Sequence, residues 1–509
     1  MLNLFGSSRP DHPLADLKEA RRILEAVPAN DSFRALDELA HWHESVRGVE
    51  GFKPEYRAQL VQLIDEAAQI HLRKLAREYV SSPRLPRFQE NRLWLAIHGY
   101  WKQSALALAS CLELYASGAK GADALKSVAP LLSVRALRAL AAQMKWQYLR
   151  YGPFDDSLWA MAVKIYALAE TKNYARTGIA VYPNVPGQCS SEQEFIRAVV
   201  LMASSPDGLT PVEIEIAERL IAHFSASFTL VPEQQPDIAY LIDLAAGNPP
   251  LRLARPPQHA PSLRFFAAGK AGEHLEELIQ TIRSSNAVPS SVNLGGSYEP
   301  PAVLAVLQHL AMVWSPKPPE RKFARHTVKS RLVVTHGFDG VLSALDPTRS
   351  LDFNQSRIEN WIVENVSAGG FGALVPQIKG EWLKIGALIG LQPEGGENWL
   401  IGVVRRFNRD TSQRGTVGVQ TFAKSAEAVQ LRVEGGRSDT VIGILLHPLA
   451  GSSAAEAQVL LPAGVLLPGQ NLEMQAEGKH FLLLPSGDGE SGDDYELLRF
   501  RKMMRDSGE

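Results

Sequence analysis

The sequence predicts a multidomain α+β protein, with an all-helical N-terminal region, a small mixed connector and a β-rich C-terminal part. Three observations lead there. From Pro13 to about Phe228 apolar residues recur at spacings of three and four, the signature of amphipathic helices. Prolines then crowd the stretch from Pro232 to about Pro316, where β-like and helical runs mix. Beyond Pro316, short runs rich in β-branched and aromatic residues alternate with turn residues, as antiparallel strands do. A chain of 509 residues is too long for one core, and the expected division is 1–228, 229–315, 316–424 and 425–509.

Composition narrows the class. Apolar residues make up 45% and charged residues 21%, a globular balance, and a net charge of −2 gives no global attraction to nucleic acid, so no DNA binding is expected. Only Cys111 and Cys189 occur, which excludes a disulfide scaffold and a multi-cysteine metal site and fits a reducing, cytoplasmic location. The stretch Met1 to Pro10 is too short and too polar after Phe5 to read as an export signal. The most apolar helical run, Leu93 to Tyr115, is interrupted by His98, Lys102, Gln103 and Glu113, so it reads as buried core and not as a membrane span.

In the helical region the repeats Leu14-Leu17-Ala20-Ile23-Leu24, Leu60-Leu63-Ile64-Ala67-Ile70 and Val134-Leu137-Leu140-Ala141-Met144 each trace one helix face. Breaks are expected near Pro28, Gly48 to Pro54, Ser82 to Pro86, Gly118 to Gly121, Gly152-Pro153 and Tyr182 to Gly187. No fixed-period repeat is present. The mixed segment holds β-like runs at Leu251 to Leu253 and Leu263 to Phe266 and helices at Gly272 to Arg283 and Pro300 to Val313. It reads equally as a small subdomain or as a connector wrapped on the helices. Strands follow at Val328 to Val334, Trp361 to Glu364, Phe371 to Val375, Trp399 to Arg406 and Thr416 to Phe422. A second small β unit follows at Asp439 to Leu446, Ala457 to Leu461, Leu472 to Gln475, His480 to Leu484 and Tyr495 to Phe500.

Two clusters carry chemistry. The first, Glu320-Arg321-Lys322-Phe323-Ala324-Arg325-His326, places two arginines four apart, so that both reach one ligand from a helix or a strand. A guanidinium is a planar fork of donors that fits phosphate oxygens or the O6/N7 edge of guanine. The second, Asn365-Val366-Ser367-Ala368-Gly369-Gly370, offers an amide, a hydroxyl and two glycines that let backbone approach a ligand. Each has an ordinary reading: arginines in a basic linker with Lys317, Lys322, Lys329 and Arg331, and an Asn-x-Ser turn closed by glycine.

In this order and among these strands, the RxxxR and NxSxxG clusters resemble the PilZ domain, the bacterial receptor module for cyclic di-GMP. The resemblance implies an antiparallel β-barrel of six strands over about residues 316–424, with the arginine segment ahead of its first strand. It implies that Arg321 and Arg325 hold the phosphates and guanine faces of cyclic di-GMP, that Asn365, Ser367 and Gly370 line a guanine edge, and that Gly369 with Gly370 admits the ligand. No cofactor or metal is called for. The implied function is a cyclic di-GMP effector that signals through its helical region to a protein partner; the alternative is a barrel kept as a structural or assembly module without nucleotide. Asn365 stands where the family more commonly has aspartate, and the stretch from Asp346 to Asn360 is longer and more polar than the compact pattern. The proline-rich Ser315 to Phe323 is expected to have little but ligand to order it.

Other candidates carry less. His41-Trp42-His43-Glu44 sets two histidines on different sides of a helix, a packing pattern and not a metal pair. Ala268-Gly269-Lys270-Ala271-Gly272 lacks P-loop spacing and reads as a turn before a helix. Asp488 to Asp494 lacks the spacing of a calcium loop and reads as a solvated acidic hairpin. No Ser, His and Asp set stands at a glycine-marked elbow, and no signature of cyclic-dinucleotide synthesis or hydrolysis occurs, so an enzyme is not expected.

Overall fold

The computed structural model describes residues 10–505 apart from 82–84, 237, 254, 318–322, 347–357, 435–439, 448–455, 468, 477–478 and 488. The chain forms two compact units: one of residues 1–150, 154–206 and 211–319, the other of 151–153, 207–210 and 320–509.

The first unit opens with α1 (Leu17–Glu25), α2 (Ser32–Gly48), α3 (Pro54–Ser81), α4 (Arg87–Ser117) and α5 (Ala129–Tyr148). It continues with α6 (Ser157–Thr171), α7 (Ser191–Ala203) and α8 (Pro211–Phe224). Their ends are set by local chemistry. Asp16 accepts from the Lys18 and Glu19 amides at the start of α1, and Ser190 with Gln193 forms a reciprocal capping box on α7. Gly118, at φ +65°, closes α4. The turn between α7 and α8 is not among the expected breaks, although Pro206, Asp207 and Gly208 mark it.

Helix α4 packs on α2 and α5, and this core contains a buried polar network. Arg135 and Asp65 are each 1% exposed and pair at 3.5 Å, while Arg135 also meets Glu66 at 2.7 Å. The same guanidinium donates to the Val181 carbonyl from Nε at 3.0 Å and Nη2 at 2.6 Å. Tyr100 and Ser104 hydroxyls each lie 3.4 Å from Asp65 Oδ1, and His43 Nε2 lies 3.2 Å from the Tyr100 hydroxyl. His43 is therefore buried packing, and burial drives its imidazole down to about 3, while His41 is exposed on the other side of α2.

The mixed segment is part of this unit. Strands β1 (Thr229–Val231), β2 (Tyr240–Asp243), β3 (Leu251–Arg252) and β4 (Leu263–Ala267) form an antiparallel sheet in the order β1-β4-β2-β3. Helices α9 (Lys270–Ser285) and α10 (Pro300–Trp314) follow it, and Gly269, at φ +49°, makes the turn before α9. Tyr240 Oη lies 3.0 Å from the Ala203 carbonyl and 2.9 Å from that of Val313, and Trp314 Nε1 donates to Ser204 Oγ at 3.0 Å. The bonds to Ala203 and Ser204 fasten the segment to the helices.

In the second unit, β5 (His326–His336), α11 (Gly337–Leu345), β6 (Glu359–Ser367), β7 (Gly370–Val375), β8 (Leu388–Pro393), β9 (Leu400–Arg409) and β10 (Gly415–Ala423) build a barrel. Its antiparallel strands close in the order β10-β7-β6-β5-β8-β9. Val334, Trp361, Val404 and Phe407, all at 0% exposure, fill it. After the single residue Lys424 the chain enters β11 (Ser425–Val433), β12 (Thr440–His447), β13 (Glu456–Pro462), β14 (Leu472–Ala476), β15 (Lys479–Pro485), β16 (Glu490–Ser491) and β17 (Tyr495–Arg505). Pairing of β13 with β17 closes β13-β12-β11-β14-β15-β17 into a second barrel, with β16 added on β17.

The two barrels share apolar core. Leu388, Ile401 and Val403 of the first form one buried cluster with Ile444, Leu446, Leu460 and Leu497 of the second, and Phe338 and Val341 of α11 sit in it. The acidic segment is the exposed hairpin turn between β16 and β17, and its carboxylates also find partners. Asp494 accepts from the Phe338 amide at 2.8 Å, Asp493 pairs with Lys384, and Glu490 pairs with Arg405 at 2.6 Å. An otherwise unbonded amide at the start of α11 explains the first of these.

Candidate functional site

The site is built around the tight turn that joins β6 to β7 on the first barrel. Ser367 pairs with Gly370 across that turn, and Ser367 Oγ donates to the Gly370 carbonyl at 3.0 Å. The Thr421 amide of β10 donates to the Gly369 carbonyl at 3.1 Å. At Gly370 the backbone φ is +154° and a Cβ would stand 2.0 Å from the Val419 carbonyl oxygen, so the close approach of β10 admits only glycine there.

Strand β5 brings the arginine segment to this turn. His326 pairs with Val366 and Thr327 with Asn365, so one further step of the antiparallel register sets exposed Arg325 level with Ser367. Phe323 completes the approach: its ring carbons lie 3.0 Å from the place a Cβ on Gly369 would take. The half-exposed Phe323 ring thus lies against the turn, while most of the proline-rich segment expected to be ordered by ligand lies outside the described residues. Arg321 and Lys322, with Pro318 and Pro319, lie outside the described residues.

Asn365 follows a bulge between Val363 and Asn365 that turns its side chain to the outer face, where it lies over Gly372. Its Oδ1 is buried and has no hydrogen-bond partner among the described residues. A buried unpaired amide oxygen costs about 1–3 kcal/mol, a cost that a ligand N–H removes. Thr327 stands opposite Asn365, and the exposed Arg325 lies two residues further along the same segment. The chemistry offered is an acceptor for a base-edge N–H and donors for an anion.

The structure therefore brings Arg325, Asn365, Ser367, Gly369 and Gly370 together. Sequence reasoning missed Phe323, although an aromatic residue between the two arginines of a basic segment was the available signal. Among the described residues, no group of three or more His, Cys, Asp or Glu side chains is disposed to hold a metal ion. No helix among them is long and apolar enough to cross a membrane.

Comparison with known proteins adds an observation from the other end of the chain. Residues 18–235 match the family model described as the N-terminal domain of the cyclic-di-GMP receptor FimW. The match covers α1 to α8 and the first of the connector strands. No curated protein matches the chain.

Proposed function

We propose that this chain is a cytoplasmic cyclic di-GMP receptor in which the first barrel is a PilZ domain and the helical region passes the signal to a protein partner. Arg321 and Arg325 hold the phosphates and guanine faces, Asn365 and Ser367 read a guanine edge, and Gly369 with Gly370 lets the ligand approach the backbone. The observation that carries this reading is the unpaired, buried Asn365 Oδ1 near the end of β6, with the exposed Arg325 just ahead of the paired strand β5. Independent support comes from the family match, which lies N-terminal to every strand of the barrel and names a receptor for the same dinucleotide. A receptor and not an enzyme is the function that both segments favour.

One observation favours the second reading, a structural module without nucleotide. Three of the motif residues have work to do without any ligand: Ser367 bonds the Gly370 carbonyl, Gly369 seats Phe323, and Gly370 admits β10. Arg325 and Asn365 have no such work in the described structure, and they decide between the readings.

Calorimetric titration of the full chain with cyclic di-GMP tests this. Wild type is expected to bind, and Arg321→Ala or Arg325→Ala to weaken binding by about 2 kcal/mol or more, because each removes charge-assisted bonds. Ser367→Ala is expected to cost less, since its hydroxyl is already engaged within the turn. Absence of both heat and thermal shift for wild type at micromolar ligand would transfer the case to the structural module.

A further inference from the structure

We propose that Arg406 is a further ligand contact of the first barrel, a cation on β9 that closes the site from the side opposite Asn365. The inference rests on the cyclic di-GMP reading above and extends it to a residue outside both motifs.

The outer face of the barrel carries a row that runs Thr327, Asn365, Gly372, Gly418, Arg406 across β5, β6, β7, β10 and β9 in turn. Three bulges adjoin it: one on β5 after Thr327, one on β6 before Asn365, and one in the β9–β10 ladder between Gly418 and Val419. In the middle, Gly372 and Gly418 are direct partners. Neighbouring strands stand about 4.8 Å apart, so these glycines form a short strip without side chains of its own.

Both flanking side chains lean over that strip. A Cβ on Gly372 would stand 2.7 Å from Asn365 Nδ2, and one on Gly418 would stand 3.3, 3.7 and 3.8 Å from Arg406 Cβ, Cγ and Cδ. Asn365 therefore covers one glycine and the Arg406 stem covers its partner, which brings the two polar groups toward each other over adjacent strands.

The neighbouring arginine shows the contrast. Arg405, the bulge residue, is engaged by Gln420 Oε1 at 2.8 Å and Glu490 at 2.6 Å. Arg406 is exposed and makes no hydrogen bond or ion pair among the described residues. Paired glycines weaken a sheet, and close approach by another molecule is one reason for keeping them, beside the bulges that adjoin this row. A planar guanidinium held by its stem at the edge of such a strip is placed to bind phosphate or a guanine carbonyl oxygen.

The test uses the full chain and cyclic di-GMP by calorimetry, with the unliganded thermal midpoint of each variant recorded. Arg406→Gln is expected to raise Kd about tenfold or more with the midpoint unchanged. Arg406→Lys is expected to recover only part of the loss, because an ammonium lacks the fork. Gly418→Ala keeps the arginine but puts a Cβ 3.3 Å from its Cβ, and is expected to raise Kd by a smaller factor. Wild-type affinity in Arg406→Gln overturns the inference and leaves the receptor reading standing. Failure of wild type itself to bind removes the receptor reading, and Arg406 falls with it.

Discussion

Replacing Arg135 by methionine is expected to destabilise the first unit by about 3–5 kcal/mol, the cost of stranding a buried charge. Asp65 is 1% exposed, and its Arg135 partner lies at 3.5 Å. The same substitution leaves the Val181 carbonyl without the two donors that now reach it. Urea unfolding followed by helical circular dichroism measures the loss, and an Asp65→Asn, Arg135→Met double variant is expected to be more stable than Arg135→Met alone. A double variant no better than the single would mean that packing, and not the stranded carboxylate, sets the cost.

The pH dependence follows from the same carboxyl. Burial pushes Asp65 above its ordinary value, against the pull of Arg135. A carboxyl raised in the folded state holds a proton that the unfolded state has released, so its contribution declines as pH rises through that window. Without Arg135 the window widens upward. The deficit of Arg135→Met is therefore expected to be smaller at about pH 5 than at about pH 8.

Gly370→Ala is expected to cost the first barrel about 3 kcal/mol or more, beyond the usual range for overpacking because the obstacle is backbone. The added Cβ would meet the Val419 carbonyl oxygen at 2.0 Å, and φ at +154° disfavours any side chain. A lower thermal midpoint and a parallel loss of cyclic di-GMP binding are the expected results. Gly369→Ala separates the two effects. Its Cβ would meet only the edge of the half-exposed Phe323 ring, at 3.0 Å, so its midpoint is expected to stay near wild type while binding weakens. An unchanged midpoint in Gly370→Ala would remove the steric account of that glycine.

The sequence showed the helical region and most strands because their apolar periods are local. It hid β8, whose residues Leu388 to Leu391 are buried on both faces and so lack alternation. It hid β11, which leaves β10 after one residue with no turn signal between them. Helix α11 is nine residues with two glycines, too short for its period to register. The site divided in the same way. Arg325, Asn365 and Ser367 were legible by residue type and spacing, whereas the structural demand on Gly370 comes from Val419 on another strand, and that on Gly369 from Phe323 in another segment. Partners that distant in sequence leave no local pattern.

The apolar cluster common to the two barrels bears on how such a protein is inherited. A gene fusion that carried off the first barrel and stopped at Lys424 would leave Leu388, Ile401 and Val403 facing water where Ile444, Leu446 and Leu460 now cover them. Selection then acts on the double barrel as one cassette, because either half moved alone would carry the uncovered side of this cluster into water.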